Sequence, residues 1–136
     1  MLSNPGRIFR ELLKGPNALV APGAYDGISA RLIERAGFNS IYRTGGGTSA
    51  TLLGQPDLGL TTLTEMVDHA TRISAAVNLP VIADADTGYG NVLNVIRTVH
   101  EFERAGVAAI HLEDQVFPKW CALHGRQGGC SYWGIC

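Results

Sequence analysis

Short, mostly apolar runs alternate along the chain with longer stretches in which apolar residues recur three and four positions apart. The short runs lie between turn residues, which is typical of buried strands, whereas the longer spacing is typical of amphipathic helices. The predicted strands cover residues 18–21, 39–42, 79–83 and 107–112. The predicted helices cover residues 5–14, 26–36, 62–78 and 91–105.

The order of these elements is helix then strand, repeated four times, which predicts a parallel sheet covered by helices. Capping signals support the helix starts: Asn4 precedes a proline, Asp26 precedes the second helix, and Thr62 with Glu65 forms a capping-box pattern. Two α/β architectures fit this order. A doubly wound open sheet suits 136 residues. A (β/α)8 barrel typically needs ~250 residues, so the chain could supply only about its first half.

Glycines follow the second predicted strand in the segment Thr44-Gly45-Gly46-Gly47-Thr48. We expect a loop here, because glycine lets the backbone approach an anion and offer it amide N–H donors. Glycine clusters also serve as plain turns, and both interpretations stay open. Residues 51–60 are predicted as a loop or short helical turns.

The bulk composition is that of an ordinary soluble globular protein, with 46% hydrophobic and 17% charged residues and a formal net charge of −1. This balance argues against nucleic acid or an anionic membrane as the main partner. No apolar run approaches the roughly 20 residues of a transmembrane helix. The first residues lack the apolar core of a signal peptide, which predicts a cytoplasmic location and leaves the mitochondrial matrix and the peroxisome open.

Four carboxylates lie at or beyond the ends of predicted strands: Asp57, Asp84, Asp86 and Glu113. The carboxyl ends of parallel strands meet at one edge, and on an extended chain Asp84 and Asp86 would share a face. Such a cluster would attract Mg²⁺ or Mn²⁺, which could hold a 2-oxo acid and stabilise an enolate. The alternative is a solvated turn and separate surface acids that cap helices.

Five motifs occur in an order that resembles the isocitrate lyase and phosphoenolpyruvate mutase superfamily. They are residues 22–26 (Pro-Gly-Ala-Tyr-Asp), 44–47 (Thr-Gly-Gly-Gly), 53–57 (Leu-Gly-Gln-Pro-Asp), 84–91 (Asp-Ala-Asp-Thr-Gly-Tyr-Gly-Asn) and 111–119 (His-Leu-Glu-Asp-Gln-Val-Phe-Pro-Lys). The nearest branch contains methylisocitrate lyase, carboxyphosphonoenolpyruvate mutase and oxaloacetate hydrolase. The resemblance covers residues 1–119.

The resemblance implies a truncated (β/α)8 barrel, with an N-terminal helix and about the first four βα units. It also implies Mg²⁺-dependent cleavage or formation of C–C or P–C bonds in small 2-oxo or 2-hydroxy acids, in tetramers that exchange a C-terminal helix. Asp84 would bind the metal directly and face the substrate. The implied water-mediated metal ligands are Asp57, Asp86 and Glu113, and the implied substrate-binding residues are Tyr25, Thr44, Gly45 and Gly46.

Two features depart from the family pattern. Lys119 and Cys121 occupy positions implied to be catalytic, with the cysteine as acid or base, but the Gly-His that follows it in lyases is missing. The choice between the lyase and mutase branches therefore stays open. Arg43 stands where the family usually has an apolar residue, and a buried charge there needs a partner or water.

Residues 120–136 form a divergent tail that its glycines predict to be irregular. Cys121, His124, Cys130 and Cys136 lack the paired spacing of zinc sites, which favours solvated thiols over a metal site. The departure favours a truncated or frameshifted product, or the product of an alternative transcript. Such a chain would be the metal-binding half of a lyase with little activity alone, or an inactive assembly partner of a full-length relative.

Overall fold

The computed structural model describes residues 2–115, which form five helices and four strands in the order α1, β1, α2, β2, α3, α4, β3, α5, β4. The helices are α1 (Pro5–Leu13), α2 (Gly27–Arg35), α3 (Gly45–Leu53), α4 (Leu63–Ala76) and α5 (Val92–Arg104). The strands are β1 (Gly23–Ala24), β2 (Ile41–Arg43), β3 (Val81–Asp84) and β4 (Ala109–His111).

The four strands form one parallel sheet in which spatial order equals chain order. A right-handed crossover that always steps to the next strand in the same direction places the connecting helices on one face of the sheet. A doubly wound sheet would reverse direction at a switch point. The observed order therefore selects barrel-type winding over the doubly wound alternative.

The core fills the space between the sheet and its helices in two clusters. One cluster includes Ile41, Ile73 and Val81, and the other includes Met66, Phe102 and Val107. A fully buried side chain of this size contributes roughly 1.5–3 kcal/mol through burial. These clusters fix β2 and β3 against α4 and α5, so the carboxyl ends of the two central strands are firmly placed.

The first strand lies later than its apolar run predicts. The prediction at residues 18–21 is wrong, since the ladder with β2 involves only Gly23 and Ala24. Val20 is 61% exposed, so the apolar run is not buried against the helices. Backbone pairing starts where the Tyr42 N–H donates to the Pro22 carbonyl at 3.0 Å, and hydrogen bonds, rather than hydrophobicity, define the strand.

The glycine segment 44–48 is the first turn of α3 and its cap, so the loop prediction is wrong. Thr44 caps the helix through its side chain, which accepts from the Gly47 N–H at 3.3 Å. The helix continues to Leu53, through part of the segment 51–60 that was expected to be a loop or short helical turns. Three consecutive glycines have poor helix propensity, and the cap and the packing of α3 on α4 override it.

The predicted caps are confirmed. Asp26 forms a capping box with Ser29, and Thr62 forms one with Glu65. Asn4 accepts from the Arg7 N–H at 3.0 Å. Asn91 is a further cap, not predicted from the sequence, and accepts from two amide groups of the first turn of α5. Within residues 2–115, no helix is long and apolar enough to cross a membrane.

Candidate functional site

The carboxylate of Asp84, the last residue of β3, lies at the centre of the candidate site. Its Oδ2 accepts from the Gly45 N–H at 3.2 Å, and its Oδ1 accepts from the Asp86 N–H at 3.0 Å. Asp84 is 7% exposed and Asp86 is 5% exposed. Each carboxylate oxygen of Asp84 is thus held by a backbone donor, one from its own turn and one from α3 on the neighbouring unit.

Asp84 and Asp86 lie close together because of a tight turn and not because they share a face of an extended strand. β3 ends at Asp84, and Asp86 has a φ of 49°, in the left-handed region. The strict alternation of an extended strand therefore does not reach Asp86, and the prediction of a shared strand face is wrong. A tight turn instead brings the Asp86 amide back onto the Asp84 carboxylate.

The other two acids of the predicted set lie beside this pair. A Cβ added to Gly46 would lie 3.8 Å from Asp57 Oδ2, which places Asp57 against the first turn of α3. The Glu113 N–H donates to the Asp86 carbonyl at 2.8 Å, and Glu113 Oε2 accepts from Gln115 at 2.6 Å. Over residues 2–115, no three acidic, histidine or cysteine side chains converge closely enough to hold a metal ion together.

The first turn of α3 offers backbone N–H groups that have no acceptor within the helix, at the positive end of its dipole. Glycine is required at the start of this turn, because a Cβ on Gly45 would overlap Asp84 Oδ2. Tyr25 lies beside the same turn, since a Cβ on Gly47 would come within 2.9 Å of Tyr25 Cβ. Half of the Tyr25 side chain is exposed, which leaves it at the rim of the site.

His69 on α4 connects two parts of the site and was missed by sequence reasoning. Its Nε2 lies 3.1 Å from the Tyr25 carbonyl, and its Nδ1 lies 3.4 Å from Thr48 Oγ1. A carbonyl only accepts hydrogen bonds, so Nε2 carries the proton. Burial, reinforced by the nearby Arg43, lowers the pKa of His69, and the imidazole is therefore neutral at pH 7.

Tyr42 and His111 face each other across β3, on the side of the sheet away from the helices. Tyr42 Oη lies 3.1 Å from His111 Nδ1. Burial, with the negative charge of Asp84, raises the pKa of Tyr42 above its usual range, so its hydroxyl stays protonated. The sequence does show a polar residue on each of β2 and β4. Whether Tyr42 and His111 meet depends on how both strands are aligned with β3, and only the structure gives that register.

Arg43 points to the other side, into the layer between sheet and helices, and is fully buried. Its Nη1 donates to Thr48 Oγ1 at 3.4 Å and contacts Met66 Sδ at 3.3 Å, while Nη2 donates to the Asp84 carbonyl. The guanidinium lies 5.6 Å from the Phe102 ring centroid. The expectation that this charge needs polar partners is confirmed for two of its three nitrogens.

The two catalytic candidates of the sequence, Lys119 and Cys121, lie outside the described residues. The same is true of the proposed tail ligands His124, Cys130 and Cys136. Of the predicted set, the structure places Asp86 and Gly45 against the Asp84 carboxylate, and Asp57 and Tyr25 beside the first turn of α3. Among residues 2–115 the acids do not form the predicted metal cluster.

Barrel-type winding and buried acidic residues at the carboxyl end of β3 define the chain as part of a βα-barrel protein. Residues 9–128 match the family model described as phosphoenolpyruvate phosphomutase. The 2,3-dimethylmalate lyase of Eubacterium barkeri is 58% identical over 125 residues, which cover 91% of this chain and 43% of the lyase. The chain belongs to the phosphoenolpyruvate mutase and isocitrate lyase superfamily, which confirms the resemblance.

Solved structures match the same part of the barrel. Oxaloacetate acetylhydrolase in complex with the inhibitor 3,3-difluorooxalacetate is similar with a TM-score of 0.83 at 46% identity, over 87% of this chain and 41% of that one. Phosphonopyruvate hydrolase in complex with oxalate and Mg²⁺ is similar with a TM-score of 0.81 at 34% identity, over 86% and 41%. The chain spans about two-fifths of the length of these relatives, and the predicted partial (β/α)8 barrel is confirmed.

Proposed function

We propose that the chain forms the metal- and carboxylate-binding part of a Mg²⁺-dependent lyase that cleaves a C–C bond in a small 2-oxo or 2-hydroxy acid. The observation that carries this proposal is the buried Asp84 carboxylate, which is held between the Gly45 and Asp86 amides at the ends of the strands. Two relatives support it, since one is a lyase and another was solved with oxalate and Mg²⁺.

The donor set fits Mg²⁺. All four candidate ligands are carboxylates, and Mg²⁺ prefers hard oxygen donors while it keeps several waters. Because no three of these acids in residues 2–115 could hold a metal ion together, Asp84 alone would contact the ion. Asp57, Asp86 and Glu113 would act through metal-bound waters. Mn²⁺ has similar preferences and would occupy the same position.

Different residues of the chain would have different roles in binding the substrate. The Gly46 amide at the first turn of α3 would bind the substrate carboxylate, with Thr44 and Tyr25 at its side. The Gly45 amide, which the resemblance also implies as a substrate contact, donates to Asp84 Oδ2 and would support the site through Asp84. A Mg²⁺ ion at Asp84 would supply the positive charge that stabilises the enolate released by bond cleavage. Tyr42, whose hydroxyl stays protonated near Asp84, would donate a hydrogen bond in the same site.

Turnover is proposed for the complete barrel and ligand binding for the described part. Within residues 2–115, β1 and β4 each pair with one strand, and the sheet face that carries Tyr42 is only partly covered. Electrostatic stabilisation of an enolate needs a closed, dry site. The lyase or mutase branch, the tetramer, the cytoplasmic location and the roles of Lys119 and Cys121 stay predictions.

The test is a thermal melt of the chain with and without Mg²⁺ plus oxalate, a stable mimic of the enolate. A ligand that binds only the folded state stabilises it by RT ln(1 + [L]/Kd), which is about 2.7 kcal/mol at a hundredfold excess over Kd. We expect a clear rise in Tm that Asp84→Asn abolishes and that Asp114→Asn, a change at a nearby exposed acid, preserves. A cooperative melt with the same Tm in the presence and absence of Mg²⁺ plus oxalate would refute the proposal.

A further inference from the structure

Arg43 is an unusual residue for its surroundings. It lies in the apolar layer formed by Met66, Ala83 and Phe102, and it is 0% exposed. Its Nε has no hydrogen-bond partner among residues 2–115. A charge removed from water at this depth is costly unless an opposite charge compensates it.

The compensating charges belong to the candidate metal site. Nη2 donates to the backbone carbonyl of Asp84, which places the guanidinium directly behind the end of β3. Burial lowers the pKa of Arg43, and Tyr89, Asp84 and Asp86 oppose that effect. Burial also raises the pKa of Tyr89 above its usual range, so Asp84 and Asp86 are the members of this set that carry charge at neutral pH. Both are almost fully buried, so their interaction with Arg43 is poorly screened by solvent or salt.

We propose that Arg43 is a built-in counter-ion of the Asp84–Asp86 pair that weakens the affinity of the site for divalent cations and favours anionic ligands. The proposal rests on the proposed function, since it concerns the same two carboxylates. It gives Arg43 a role without contact to the ligand. The residue acts through the electrostatic potential at the end of β3 and is therefore an affinity-determining residue, not a catalytic one.

Two consequences follow from this arrangement. Replacing Arg43 by methionine removes one positive charge beside the carboxylates, so a divalent cation should bind more tightly. The unbranched apolar side chain also suits a layer that already contains Met66 and Phe102. Removing one partner of a buried charge pair is destabilising, and R43M also leaves the Asp84 carbonyl without its donor, so R43M should melt below wild type when no divalent cation is present.

The experiment measures Mg²⁺ affinity by calorimetry and Mn²⁺ affinity by electron paramagnetic resonance, on wild type, Arg43→Met, Arg43→Lys and Arg72→Met. Arg72 is an exposed arginine on α4 and serves as the charge-matched control. We expect at least tenfold tighter binding for R43M, about 1.4 kcal/mol. R43K should stay close to wild type and R72M should change little. The gain in R43M should persist at raised ionic strength.

The outcomes separate this inference from the proposed function. Equal or weaker metal binding by a cooperatively folded R43M would overturn the inference alone. Absence of binding by both wild type and R43M would overturn the proposed metal site together with the inference. If R43M does not fold, Arg43→Gln replaces it in the measurement, because glutamine removes the charge but keeps an N–H donor for the Asp84 carbonyl. Equal or weaker metal binding by R43Q would then overturn the inference.

Discussion

Two adjacent glycines allow a sharp test of the site geometry. A Cβ on Gly45 would overlap Asp84 Oδ2 and lie 2.9 Å from Asp84 Cγ, closer than real Cβ atoms approach other side chains. A Cβ on Gly46 would lie 3.7 Å from Asp57 Cβ, which is ordinary van der Waals contact. Gly45→Ala and Gly46→Ala therefore add the same methyl group to the same turn of α3 with different consequences.

The expected magnitudes follow from these distances. Alanine in place of glycine stabilises a helix by up to about 1 kcal/mol, an effect that both variants share. Overpacking typically costs about 1–3 kcal/mol, and in G45A the buried Asp84 carboxylate must also leave its hydrogen bond with the Gly45 amide. We expect G45A to be less stable than G46A by about 1–3 kcal/mol, or roughly 4–12 °C in Tm.

Thermal melts of the two variants, each with and without Mg²⁺ plus oxalate, provide the assay. G46A should melt near wild type and keep the ligand-induced rise in Tm. G45A should melt lower and lose most of that rise, because Asp84 is displaced from the site. Indistinguishable melts and ligand responses for the two variants would refute the placement of Asp84 against α3.

Three further changes test the supports of the site. Thr62→Ala should lower the free energy of unfolding by about 1 kcal/mol, since it removes the cap that accepts from Glu65, whereas Thr62→Ser should not. Thr98→Val should cost about 1–3 kcal/mol in chemical denaturation by orphaning the Gly88 carbonyl, with Thr98→Ser as the control. His69 has a folded-state pKa below its unfolded value of 6.5, so the unfolded state takes up the proton first. The free energy of unfolding of the wild type should therefore decrease as pH falls below about 6.5. A His69→Gln variant that shows the same decrease would contradict the assignment of this pH dependence to His69.

The fold was predictable where its signals are local. Capping side chains and apolar spacing located α2, α4 and α5, because a helix start depends on residues within one turn of each other. α3 was missed because its glycines oppose helix formation and its stability comes from a cap and from packing on α4. The position of β1 was predicted wrongly because this two-residue strand is defined by its hydrogen bonds with β2. Such hydrogen bonds do not show in the pattern of apolar residues.

The acids of the site were predictable from topology alone, since parallel strands gather their carboxyl ends at one edge. The details depended on contacts between distant residues. Asp86 reaches Asp84 through a left-handed turn, His69 reaches Tyr25 across 44 positions, and Arg43 lies on the face of β2 away from the cleft. Pattern reasoning identified Arg43 as anomalous without the register that shows which way it points.

The contacts that hold the ligand-binding groups all lie within the first four βα units. Gly45 joins α3 to Asp84, and Thr98 on α5 donates to the Gly88 carbonyl in the turn beyond Asp86. His69 joins α4 to the end of β1. Amide groups of Gly45 and Asp86, both in this part of the barrel, hold the two carboxylate oxygens of Asp84. Water is excluded from the site only when the sheet face that carries Tyr42 is fully covered. Ligand binding and turnover should therefore separate, with binding present in the described part and turnover dependent on closure of the barrel.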